Sequence, residues 1–131
     1  MFDIHVMRNF ENFSCWKSAK SLGLDLHRAT KEIDIAEKSE LYTAIRRSIR
    51  TVMSQIAQGS VQKNERFSEL LSQAIGATFR CRSELLLAYE LEWLDEALFN
   101  ELDERLRSLG FQMYGLKKRL CPENSIPRKS F

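Results

Sequence analysis

Few residues in this chain could carry out chemistry, and they are scattered. Cys15, Cys81 and Cys121 are its thiols, and His5 and His27 are its imidazoles. An odd number of cysteines with no C-x-x-C pair argues against a disulfide framework or a zinc site. Helical bundles often hold metals with glutamates and E-x-x-H pairs, but neither histidine here lies three residues after a glutamate. A thiol nucleophile needs a neighbouring base, whereas Cys15 and Cys81 fall near apolar stripes. No H-E-x-x-H, G-x-S-x-G, Walker loop or G-x-G-x-x-G occurs. The expectation is a protein without catalytic residues, metal or cofactor.

The cations are more informative. Arg46, Arg47 and Arg50 form a group with no acid within four residues. On a helix, 46 and 50 share a face and 47 lies beside them. Guanidinium forks suit a phosphate or a partner's carboxylates. The alternatives are pairing with Glu69, Glu84 or a neighbouring subunit.

The elements that position these groups are helices. The chain has 131 residues, 44% of them hydrophobic and 29% charged, which fits one globular domain. Its two prolines and five glycines are too few for the many turns of an all-β fold. Apolar residues recur at threes and fours in four stretches. The first runs from about Ser14, a candidate cap, to Ile33, with Trp16, Ala19, Leu22 and Leu26 on one face. The second runs from about Ala36 to Gly59, through Leu41, Ile45, Val52 and Ile56. Gly59 suits a left-handed stop.

The third stretch starts near Asn64, a candidate cap, and reaches about Leu91. Phe67, Leu71, Ala74, Cys81 and Leu85 line it. Gly76 inside it fits either a close helix crossing or chance. The fourth opens with Asp95 as cap and Leu94 with Phe99 as a staple. Leu98, Leu102, Leu106, Leu109, Met113, Leu116 and Leu120 then make a near-heptad seam that Pro122 ends. Short links make consecutive helices antiparallel neighbours. The predicted fold is all-α, an antiparallel up-down-up-down four-helix bundle over 14–121. An N-terminal arm (1–13) precedes it and a flexible basic tail (122–131) follows.

That topology gathers charge. One end holds Glu32, Asp34, Glu37, Glu40, Glu90, Glu92, Asp95 and Glu96 against Lys31 and Lys38. The other holds Lys63, Arg66, Lys117, Lys118, Arg119, Arg128 and Lys129 against Glu65 and Glu123. The net charge of +2 therefore hides a polar axis. The basic end could attract RNA or DNA, with affinity falling as salt rises. The other reading is that these charges offset helix dipoles and aid solubility.

Phe79, Leu86, Tyr89 and Trp93 lie off the main stripe of the third helix, and Phe111 and Tyr114 off that of the fourth. Such aromatics are typical of interfaces, here between copies of the chain; wide apolar faces of a small bundle are the alternative. No apolar run reaches the ~20 residues of a membrane span, and no secretory signal is evident. The expected setting is a reducing cytoplasm, away from membranes.

Several of these segments resemble a known family. Trp16-Lys17-Ser18-Ala19, Leu41, Ile45-Arg46-Arg47-Ser48 and Ser54-Gln55-Ile56-Ala57-Gln58-Gly59 are similar to the bacterial four-helix bundle proteins linked to the 23S ribosomal RNA intervening sequence. Phe67, Leu71, Ala74 and Gly76 continue the likeness, which spans about Phe10 to Leu120. Ala44, Gln55 and Gln58 depart from the family's Gln, Asn and Glu. Val52-Met53 lacks its proline, and Arg80 and Arg82 stand where it carries glutamates. Those arginines are similar to a related bundle, the accessory variability protein of diversity-generating retroelements. The resemblance implies a ring-shaped homopentamer with no established catalytic activity. For the retroelement relative it implies contact with a reverse transcriptase and nucleic acid through a basic surface. A protein-only adaptor is the competing reading, and a small-molecule or metal-binding bundle ranks last.

Overall fold

The computed structural model describes residues 8–122. The expectations for 1–7 and 123–131, including Glu123, Arg128, Lys129 and the flexible tail, lie outside the described residues. A 3-10 turn (Phe10–Asn12) leads into α1 (Ser14–Ala29), α2 (Ala36–Gly59), α3 (Asn64–Glu90) and α4 (Glu96–Leu120). No strand occurs among the described residues. Helix α2 packs between α1 and α3, and α4 between α3 and α1. The result is the expected antiparallel four-helix bundle.

Its core is built from the apolar stripes. Leu22 and Leu26 meet Ile45, Ile49 and Ile56, Phe67, Leu71 and Leu85, and Leu102, Leu106 and Leu109, all essentially without solvent contact. Burying each such side chain contributes about 1.5–3 kcal/mol. This shared shielding holds helices together more than their local propensities do.

The helix ends differ from expectation where long-range contacts intervene. Ser14 and Asn64 are first helical residues rather than caps; Phe13 and Lys63 hold the cap positions without side-chain cap bonds. The Asn64 side chain is used elsewhere. It accepts from the Arg8 guanidinium at 3.2 Å and donates to the Leu120 carbonyl at 3.1 Å. Asp95 does cap α4, accepting from the Leu98 N–H at 2.8 Å. Leu94 is buried behind it and Phe99 packs against the core.

Helix α1 ends four residues before Ile33 because Thr30 is captured. Its Oγ1 donates to the Leu26 carbonyl at 2.7 Å. Arg46 Nε donates to the same Oγ1 at 2.8 Å, and a second Arg46 N–H donates to the Thr30 carbonyl. The first link therefore spans 30–35, longer than the short link expected, and it leaves Ile33 and Ile35 exposed. The third link, 91–95, is also longer than expected.

Gly59 is the last residue of α2, but not through the left-handed conformation expected. No glycine has positive φ among the described residues. A Cβ at Gly59 would lie 2.2 Å from Phe67 Cδ1, so the aromatic ring claims that space. Gly76 has no atom within 4 Å of its would-be Cβ, so among the described residues no close crossing, the first of the two readings, accounts for it. The left-handed residue is Glu92, at φ 65. Its N–H bonds to the Tyr89 carbonyl at 2.9 Å and the Trp93 N–H to the Ala88 carbonyl at 3.0 Å. That is the Schellman closure of a helix, which usually employs glycine.

Candidate functional site

The α3/α4 face carries the largest exposed rings. Phe111 is 74% exposed and Phe79 57%, with Leu86 and Tyr114 also exposed. Ile75, Phe79, Arg82, Arg107, Gly110, Phe111 and Tyr114 line a groove of about 410 Å³. A second hollow of about 420 Å³ continues it past Phe79 and Arg82 to Ser83, Leu86, Phe99 and Asp103. Gly110 forms part of the first groove's wall, where a Cβ would just touch the Phe79 ring at 3.9 Å.

Between the two hollows, Arg82 grips Asp103 with Nε at 2.8 Å and NH2 at 3.3 Å. This bidentate pair ties α3 to α4, and Arg82 also lies 5.5 Å from the Phe79 ring centroid. Four of the six expected interface residues, Phe79, Leu86, Phe111 and Tyr114, thus line one continuous face. Tyr89 is half-buried behind it, stacked on Phe99 at 4.6 Å. Trp93 turns away, edge-on to Tyr42 at 6.0 Å and beneath Lys38.

The expected phosphate-binding cations fall into two groups that the fold does not join. Lys63, Lys118 and Arg119 are exposed at the end where α2 meets α3 and α4 stops. None of them makes an ion pair among the described residues. Lys118 lies 5.4 Å from the Tyr114 ring centroid, at the border of the apolar groove. Arg66 is partly neutralised by Glu69 at 3.0 Å, and Lys117 donates to Ser72 Oγ at 2.7 Å.

Arg8, which the sequence reading did not single out, clamps this end. It donates to the carbonyls of Ser60 at 3.2 Å and Gln62 at 2.6 Å, and packs on Phe67. Arg46, Arg47 and Arg50 sit mid-helix, away from that end, and they divide in role. Arg46 is spent on Thr30, while Arg47 and Arg50 are exposed without ion pairs among the described residues. Glu69 and Glu84 are not their partners: Glu84 instead accepts from Ser48 Oγ at 2.8 Å.

The thiols sit where nucleophilic chemistry is unfavourable. Burial pushes Cys15 up to about 11 and Cys81 up to about 12, the latter helped by the Glu84 charge. At neutral pH the thiolate fraction of Cys15 is then on the order of one in 10⁴. No group of three or more potential metal ligands converges among the described residues. On the α1/α4 side, Arg105 donates to Asp25 at 2.8 Å and to Ser21 at 3.0 Å. The Arg105 hydrogen bond, with Arg28 beside it, holds the Asp25 carboxyl below its ordinary range. No helix among the described residues is long and apolar enough to cross a membrane.

These features define a helical bundle whose distinctive chemistry lies on its outer faces: an apolar groove and two groups of cations, Lys63, Lys118 and Arg119 at one end and Arg47 and Arg50 mid-helix, that make no ion pair among the described residues. The chain belongs to the 23S rRNA-intervening sequence protein family, whose model matches residues 11–115. The curated proteins searched contain no match to it.

Proposed function

We propose that this chain is a non-enzymatic, self-associating bundle that joins copies through its α3/α4 face and meets nucleic acid through its exposed cations, in the cytoplasm and without a cofactor. The observation that carries this reading is the continuous apolar groove around Phe79 and Phe111. Covering what remains exposed of those two rings contributes roughly 2–4 kcal/mol. Association costs about 4–15 kcal/mol in lost freedom, so the whole face must be covered. The family likeness implies a homopentameric ring. A ring repeats each subunit's cations around one axis, and weak phosphate contacts then add up.

Light scattering tests the assembly. The expected mass is a multiple of the 15.3 kDa chain, reduced to one chain by combining Phe79→Ser with Phe111→Ser. A wild-type monomer at high concentration refutes the assembly. Gel-shift binding to structured RNA should weaken steeply with salt, and no binding at low salt removes the nucleic-acid role.

A protein-only adaptor, such as an accessory subunit for a reverse transcriptase, is favoured by one observation. Arg66 and Lys117 at the basic end already have partners within the chain. Partners pulled down after nuclease treatment support that reading.

A further inference from the structure

The eighteen acidic residues are unevenly spread, and packing turns that into a surface. None lies within 12–24 or within 41–64, stretches that contain Lys17, Lys20, Arg46, Arg47, Arg50 and Lys63. The first stretch is most of α1 and the second most of α2, and these two helices pack side by side. Two contacts fix which edges meet. Arg46 reaches Thr30, and a Cβ on Gly23 would lie 3.7 Å from Met53 Sδ. Positions 46, 50 and 53 therefore border α1, and positions 16, 20, 23, 27 and 30 border α2, by the spacing of threes and fours on a helix face.

Arg50 and Lys20 flank this seam and are exposed, with Lys17 and Arg47 exposed beside them. None of the four makes an ion pair among the described residues. Lys20 Nζ rests 5.7 Å from the Trp16 ring centroid, which steers it along the seam. The nearest α1 carboxylate, Asp25, is already bound by Arg28 and Arg105.

We propose that the α1/α2 seam is a nucleic-acid track, with Lys17, Lys20, Arg47 and Arg50 contacting successive backbone phosphates. This rests on the nucleic-acid reading above and locates it on a face rather than at the basic end. From position 17 to position 27 the seam runs about 15 Å at the helical rise. That length covers four to five base steps of a duplex, at about 3.4 Å of axial rise per phosphate on each strand. Phosphates repeat along a line, as these cations do. A membrane surface fits less well, since Leu24 is the one large aliphatic side chain exposed among the described residues of α1. In the cyclic order of helices the seam lies opposite the α3/α4 groove.

The test is fluorescence anisotropy of the full chain with a labelled RNA hairpin, a DNA duplex and vesicles of phosphatidylglycerol, over a salt series. Lys20→Ala combined with Arg50→Ala should lower hairpin or duplex affinity by at least about tenfold at low salt and reduce the log–log salt slope by about 2. The conservative pair Lys20→Arg with Arg50→Lys should keep the slope. Helicity and solution mass should not change, because both side chains are exposed. Wild-type binding that the alanine pair leaves intact overturns the seam alone; Lys63→Ala with Lys118→Ala then reports on the basic end. Absence of wild-type binding to either nucleic acid overturns the seam together with the nucleic-acid reading, and vesicle binding that the alanine pair abolishes then marks the seam as a lipid surface instead.

Discussion

Replacing Arg46 by alanine separates the structural arginine from its two exposed neighbours. Thr30 is wholly buried and ends α1. Arg46 supplies a donor to its hydroxyl at 2.8 Å and another to its carbonyl. Hydrogen bonds from a charged group contribute about 1.5–3 kcal/mol each. The hydroxyl keeps its bond to the Leu26 carbonyl, and water can enter the space the side chain leaves. The expected net loss for Arg46→Ala is therefore about 2–3 kcal/mol. With a urea slope of about 2 kcal/mol per molar, that lowers the unfolding midpoint by about 1–1.5 M. Arg47→Ala and Arg50→Ala should stay within about 0.5 kcal/mol of wild type. All four proteins must be compared at one concentration, because assembly adds to apparent stability. A midpoint for Arg46→Ala within about 0.3 M of wild type, or an equal drop for Arg50→Ala, refutes the reasoning.

Further outcomes follow from the packing. Gly59→Ala should cost about 1–3 kcal/mol by driving a methyl group into the Phe67 ring, seen as a lower melting temperature by circular dichroism. Glu92→Gly should stabilise by about 0.5–1 kcal/mol in urea unfolding, since glycine accepts the left-handed conformation freely and glutamate does not. The buried thiols set an alkaline limit. Unfolded cysteines titrate near ~8.5, whereas Cys15 and Cys81 are pushed up to about 11 and about 12. Their contribution to stability is complete below the unfolded value and falls as pH rises from there towards 11 and 12. A pH series of urea midpoints should decline over that window, and replacing both cysteines by alanine should flatten it.

The bundle was legible because its signal is periodic and local. Leu102, Leu106, Leu109 and Met113 announce a buried seam by spacing alone, and all four are fully buried. Asp95 was legible as a cap because its bond reaches only three residues on. The misreadings arose where distant partners decide. Asn64 has the composition of a cap, but Arg8 and Leu120, each 56 residues away, occupy its side chain. Gly59 falls at its helix end as expected, yet what requires a glycine there is an aromatic ring from the next helix rather than a left-handed turn. Arg46, Arg47 and Arg50 look alike in sequence, and only the fold reveals that Thr30 consumes one of them. The α3/α4 groove was half legible: Phe79 and Phe111 stand off their stripes, but nothing local shows that Trp93 turns towards Tyr42 instead.

The network around Asn64 has a topological consequence. Arg8 is pinned to Ser60 and Gln62, and Asn64 holds the Leu120 carbonyl, so the two described ends of the chain emerge side by side. A fusion attached beyond either end crowds Lys63 and Lys118 while leaving the opposite pole open. The exposed residues of the first link, 31–35, lie at that opposite pole. Bridging residues 8 and 122 with a short linker and opening the chain in this link should preserve every helix's neighbours, giving a circular permutant whose new termini sit far from the cations.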